Sequence, residues 1–269
     1  MFDELAEGVY RRRFESLDLN VGLVFGESAV LVIDTRASHR EADELIREIE
    51  AFTKLPVAWL VNTHWHWDHA FGNSRFPGAE IWGHRLCREA LIDLGDEMLE
   101  EVADMFREDG NDAMADDIKE VVVVPPGSVF EDSVTIDLGG RAVELTYHGL
   151  AHTDADIVIR IPDCGVTFFG DMLENGAPPN FGDSYPLSWP GTLGAAMSSL
   201  DGLIVPGHGE VMTPADAGTQ LEELKEVARA ATWCLVDKHP VEEMAQTGPY
   251  PAEVMMAALN RALEVGGSG

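Results

Sequence analysis

A chain of 269 residues can bury a substantial core, as one large domain or two modest ones. Its 48 acidic and 18 basic residues leave a net charge of −30, a field that repels phosphate backbones and anionic membrane surfaces and so argues against nucleic-acid or membrane partners. The apolar fraction of 45% is ordinary for a water-soluble globular protein, and no apolar run reaches the roughly 18 residues needed to cross a bilayer.

The opening stretch MFDELAEGVYRRR has no apolar segment behind a basic start, so no secretory signal is expected. Cys87, Cys164 and Cys234 are widely scattered with no CxxC spacing, and are predicted to be free thiols in a reducing, cytoplasmic setting. Strands are predicted at Gly8 to Phe14, Asn20 to Phe25 and Ala29 to Ile33, the last apolar enough to be covered on both faces. Ser38, with Glu41 three residues on, predicts a capping box opening a helix that runs to about Phe52. Pro56 stops that helix before another apolar strand, VAWLVN (57–62).

Residues 84–120 are helical in character, with breaks at Gly95 and Gly110. Glu89, Asp93, Asp96, Glu97, Glu100, Glu101 and Asp104 sit among Leu91, Leu94, Met98, Leu99, Val102 and Met105, the pattern of a solvated amphipathic face. A lid over an active site is the sharper alternative. The β pattern returns in VVVV, SVFEDSVTIDL, AVELTYH, DIVIRI, GVTFFGD and LIVPGH, and helices are predicted near 190–200, 214–237 and 251–264. With no linker or repeat, the expectation is a single domain over 1–269. It would have an acidic helical insert at about 84–120 and C-terminal helices at about 214–264, on two packed sheets with helices outside.

The stretch Thr63-His64-Trp65-His66-Trp67-Asp68-His69 follows directly on VAWLVN. Two residues apart on extended chain, His64 and His66 point the same way and can reach one cation. Asp68 and His69 lie where a turn can aim them at a neighbouring position. Imidazoles with a carboxylate suit zinc ahead of manganese or iron. A surface metal scavenger would explain this cluster alone. Three later apolar strands each deliver a further ligand type: AVELTYHGLAHTD with His152, GVTFFGD with Asp171, and LIVPGHG with His208.

H-x-H-x-D-H, then His in GLAHTD, Asp in FFGD and His in VPGHG, with Asp34 at the strand end in AVLVIDT, resembles the metallo-β-lactamase superfamily over about residues 8–215. The resemblance implies an α/β fold, the four-layer αββα sandwich, with the site at one edge of the two sheets. By the same resemblance His64, His66 and His152 would bind one metal, Asp68, His69 and His208 a second, and Asp171 would span both. The implied cofactor is two zinc ions per chain, with iron or manganese as substitutes. Asp171 tilts the reading toward the glyoxalase II-like and general-hydrolase branches, since true β-lactamases usually place cysteine or serine in or near that slot.

The implied chemistry is hydrolysis of a small-molecule substrate, an ester, thioester, lactone or β-lactam, by a hydroxide bridging two metals. Asp68 is the candidate to orient that hydroxide and carry its proton. Two other readings compete: a mononuclear iron enzyme oxidising a sulfur substrate on the same fold, and a non-catalytic, metal-stabilised binding module. Asp34 is a candidate to orient a ligand, Trp65 and Trp67 to wall the pocket, and Tyr185 and Trp189 to lie near the cleft. His39, His84, His148 and His239 read as ordinary histidines. The sequence sets no oligomeric state.

Overall fold

The computed structural model describes residues 1–200 and 202–266. Among them, strands β1 (Asp3–Ala6), β2 (Val9–Arg13), β3 (Asn20–Phe25), β4 (Val30–Ile33), β5 (Val57–Val61), β6 (Glu80–His84) and β7 (Ser128–Phe130) stand side by side in chain order as one sheet. Pairing is antiparallel as far as β4 and parallel from β4 to β7. The helices of this half are α1 (His39–Phe52), α2 (Trp67–Ala70), α3 (Arg85–Asp93), α4 (Gly95–Glu108) and α5 (Asp112–Lys119).

The second sheet runs β12-β11-β10-β9-β8, from β8 (Ser133–Asp137), β9 (Ala142–Tyr147), β10 (Ile157–Ile161), β11 (Val166–Glu174) and β12 (Leu203–His208). Only β11 and β12 are parallel in it. Helices α6 (Trp189–Ala196), α7 (Pro214–Val236), α8 (Val241–Met244) and α9 (Ala252–Gly266) belong to this half.

The continuous apolar runs have a simple cause: both faces of the central strands are buried. Along β4, Val30 and Val32 pack outward with Ala42, Leu45 and Ile49 of α1, while Leu31 and Ile33 turn inward. Along β10, Ile157, Ile159 and Ile161 turn inward to meet them, and Val158 packs outward with residues of α6, α7 and α9. Helix, sheet, sheet and helix therefore stack in four layers. No helix among the described residues is long and apolar enough to cross a membrane.

Four details depart from the sequence reading. VVVV (121–124) is irregular, because Pro125 and Pro126 bring no N–H to a ladder. SVFEDSVTIDL is two strands in different sheets, split at Glu131 and Asp132. Strands β1 and β6 were not anticipated. The capping box at α1 is half made: Ser38 accepts from the Glu41 N–H, but Glu41 reaches back to the Ala37 N–H and the Arg36 guanidinium.

The acidic segment folds as α3, α4 and α5, parted at Leu94 and at Asp109–Asn111. Met98, Val102, Ala103, Ala115 and Ile118 pack with Trp65, Phe71 and Cys87, and the seven carboxylates named above are exposed.

Candidate metal centre

Six of the seven ligand candidates arrive near the ends of strands that pair in parallel, and His152 comes from between two antiparallel strands. His64 to His69 follow β5, His208 is the last residue of β12, Asp171 lies near the end of β11, and His152 sits in the β9–β10 connection. Asp171 is inside β11 rather than past it, just after a register irregularity between Phe168 and Gly170. Crevices at the carboxyl ends of parallel strands are common ligand sites, because the loops there converge without closing the sheet edge.

The fold brings all seven residues together. His64, His66, His152 and Asp171 form one group and Asp68, His69 and His208 a second, each with its ligand atoms within 4.8 Å of one another. Asp171 reaches across the two: Oδ2 is 3.5 Å from His152 Nε2 and 3.3 Å from His208 Nε2, and Oδ1 is 3.1 Å from His69 Nε2. Asp68 Oδ2 is 3.3 Å from His208 Nε2 and 3.6 Å from His69 Nε2.

One ring nitrogen of every histidine is anchored outward. His69 Nδ1–H donates to Asp34 Oδ2 at 2.8 Å, His208 Nδ1–H to the Leu17 carbonyl at 2.7 Å and His152 Nδ1–H to the Asn180 carbonyl at 3.2 Å. His66 turns the other way round, with Nε2–H donating to Asp183 Oδ2 at 2.8 Å. The Thr63 hydroxyl donates to Asp34 Oδ2, so it accepts from His64 Nδ1–H at 3.0 Å. An acceptor outside fixes the proton there and leaves a bare lone pair facing inward.

Five inward nitrogens and two carboxylates then crowd one space. His66 Nδ1 and His152 Nε2 are 2.9 Å apart, and His69 Nε2 and His208 Nε2 are 3.4 Å apart. His64 Nε2 and Asp171 Oδ1 are buried with no hydrogen-bond partner. Each such orphan costs about 1–3 kcal/mol, and facing lone pairs repel, so the arrangement is stable only around positive charge. Ligands 2.0–2.1 Å from a tetrahedral ion sit about 3.3 Å apart, close to most of these separations. The donor set fits metal ions.

Protons partly meet the same demand in the bare chain. Burial lowers His69 and His208, yet Asp171 and Asp68 outweigh it and hold both well above the usual imidazole value. Burial, with the charge of neighbouring histidines, pushes His152 down to about 4 and His64 well below its ordinary value.

Asp34 organises the approach of β4 and β5 as well as the site. Its Oδ1 accepts from the Thr63 N–H at 2.8 Å, while Oδ2 takes Thr63 and His69. The residue sits at φ 64, a left-handed conformation that only local hydrogen bonding makes tolerable. Two glycines give room. A Cβ on Gly207 would run into the Asp171 carboxylate, and one on Gly170, at φ +52, would press on the Thr63 side chain.

A cavity of about 810 Å³ opens above the cluster, lined in part by Trp65, Trp67, Tyr185 and the α4 residues Glu97, Met98 and Glu101. Trp189 is not in its wall. It is fully buried, donates its ring N–H to the Met172 carbonyl and packs behind His152. Sequence reasoning missed Thr63 and Asp183. Thr63 stands beside the motif, and Asp183 lies in the Gly- and Pro-rich stretch after Asp171, two residues before Tyr185. His148 and His84 lie outside the cluster, His84 stacked on Tyr147 at 3.9 Å.

A four-layer sandwich carrying this His/Asp cluster between its sheet ends defines a metal-dependent hydrolase. The chain belongs to the metallo-beta-lactamase superfamily, whose family model matches residues 17–236. Among named relatives it is similar to the metallo-beta-lactamase type 2 of Bacteroides fragilis, 24% identical over 208 residues, covering 75% of this chain and 71% of that one. The Bacillus cereus metallo-beta-lactamase type 2 is 25% identical over 196 residues, covering 71% and 67%. Two solved structures share the fold. TMB-1 has a TM-score of 0.64 at 18% identity, covering 85% of this chain and 98% of that one. The inverting sec-alkylsulfatase Pisa1 from Pseudomonas sp. has a TM-score of 0.76 at 15% identity, covering 97% of this chain and 50% of that one.

Proposed function

We propose that the chain holds two zinc ions and hydrolyses a small ester, thioester, lactone or β-lactam. His64, His66 and His152 would hold one ion, Asp68, His69 and His208 the other, and Asp171 both. The observation that supports this best is the outward anchoring of all five histidines around two buried ligand atoms that have no hydrogen-bond partner. When bound, such ions supply a water of lowered pKa and polarise a carbonyl.

The protein's own part is orientation and proton handling. Asp68 is buried at the cavity floor, where its carboxylate can align the attacking water and take its proton. Trp65 and Trp67 exclude bulk water on that side. Among the described residues Cys87, Cys164 and Cys234 are free thiols, and burial raises the Cys87 thiol well above its ordinary value, so none is a ready nucleophile. Three free thiols also suit the reducing cytoplasm proposed for the chain.

Rates on an ester, thioester, lactone and β-lactam panel, with zinc-loaded and metal-stripped protein, test the reading. Turnover that needs metal and falls about a hundred- to ten-thousandfold in Asp68→Asn is expected. A single iron per chain with oxygen consumption, or no turnover of any class, would overturn it.

A further inference from the structure

We propose that the α4 wall of the cavity selects substrates with a positively charged group beside an apolar body, and turns away those carrying a carboxylate. This rests on the hydrolase reading above and names the substrate class of the same site.

Glu97, Met98, Glu101, Val102 and Met105 recur at helical spacing along one face of α4, Leu94 caps its start on the same side, and all six line the cavity. Their partnering separates Glu97 and Glu101 from the other lining carboxylates. Asp18 pairs with Arg13, Asp154 accepts from Trp65 Nε1–H at 3.0 Å, Asp183 accepts from His66, and Glu174 accepts from the Asn180 N–H at 3.4 Å. Asp68 and Asp171 belong to the cluster. Glu97 and Glu101 have no hydrogen-bond or ion-pair partner among the described residues.

Arg261, the lining guanidinium, is already engaged by the Ser184 and Asp183 carbonyls and by Glu264. At the floor, Asp171 Oδ1 is buried with no hydrogen-bond partner and faces His69 Nε2 at 3.1 Å, which marks that end for positive charge. The cavity is thus polarised: a floor that collects positive charge and draws an electron-rich carbonyl, and a wall that is negative. A substrate with its carbonyl at one end and an ammonium group at the other aligns with both. Leu94, Met98 and Met105 offer apolar surface between the carboxylates, and the Trp67 face can take a cation.

The test uses zinc-loaded protein and p-nitrophenyl esters of one chain length ending in trimethylammonium, tert-butyl or carboxylate. At low salt, kcat/KM should fall in that order, by about tenfold from the first to the second. In the Glu97→Gln/Glu101→Gln double variant the cationic-to-neutral ratio should drop about tenfold. A Glu108→Gln/Asp109→Asn control, which changes net charge by the same amount, should keep it. Calorimetric binding of the corresponding free acids reports the same preference without turnover, so it separates a failure of selectivity from a failure of hydrolysis. Equal kcat/KM or affinity for the cationic and neutral forms would overturn the proposal, as would a preference that survives in the double variant.

Discussion

Asp34 shapes the metal centre through a ring nitrogen on its far side. In Asp34→Asn the amide oxygen can still accept from the Thr63 N–H, and the Thr63 hydroxyl can turn to accept from the new NH2 while it holds His64, but that NH2 also faces His69 Nδ1–H, so His69 loses its fixed orientation. Zinc affinity of the Asp68, His69 and His208 group should fall about 10–100-fold, while the other group keeps its ion. Chelator competition resolves the two, and equal weakening of both would contradict this role. Gly207→Ala is expected to displace the Asp171 carboxylate, which serves both groups. Metal content per chain should drop while far-UV circular dichroism stays native; full zinc content would speak against that packing. The seven ligand candidates were legible in the sequence because side-chain chemistry announces itself: His and Asp recur after apolar strands. The Leu17 and Asn180 carbonyls were not, since any residue can supply a carbonyl.

At the scale of elements, the turn between β2 and β3 carries more than its sequence suggests. Leu17 and Asp18 adopt φ 61 and φ 56, and this turn presents the Leu17 carbonyl to His208. Arg13 from β2 grips both Asp18 and Glu210, tying the turn to the residues after β12. Arg13→Ala is therefore expected to lower stability by less than about 1 kcal/mol, as for an exposed ion pair. It should still weaken zinc binding at the His208 group, read by metal titration beside denaturant unfolding. A large stability loss with unchanged zinc affinity would show that Arg13 serves the fold alone.

Strand and helix positions followed apolar periodicity closely for β3, β10 and α7. Periodicity could not say that Phe130 ends one sheet and Ser133 begins the other, because both segments alternate alike and the corner between them is only Glu131 and Asp132. Nor could it reveal β6, whose EIWGH is short and runs straight into α3.

Over the whole molecule, a charge of −30 works against compactness, and ion pairs such as Arg12 with Glu48 and Arg36 with Glu41 and Glu44 offset only a part of it. Raising salt from about 0.01 M to 0.15 M shortens the screening length from about 30 Å to 8 Å. The melting temperature of metal-stripped protein should rise with it, and a fall would mean that attractive pairs outweigh the repulsion. Zinc should raise the melting temperature further. At a free concentration about 100 times the dissociation constant, a site that exists only in the folded state adds about 2.7 kcal/mol.

The central claim is that two cations sit between β5, β11 and β12 and share Asp171. Anomalous scattering from crystals grown with zinc tests it most directly. Two peaks are predicted, one among His64, His66 and His152 and one among Asp68, His69 and His208, both against Asp171. One peak alone, or His208 turned out of the cluster, would contradict the account.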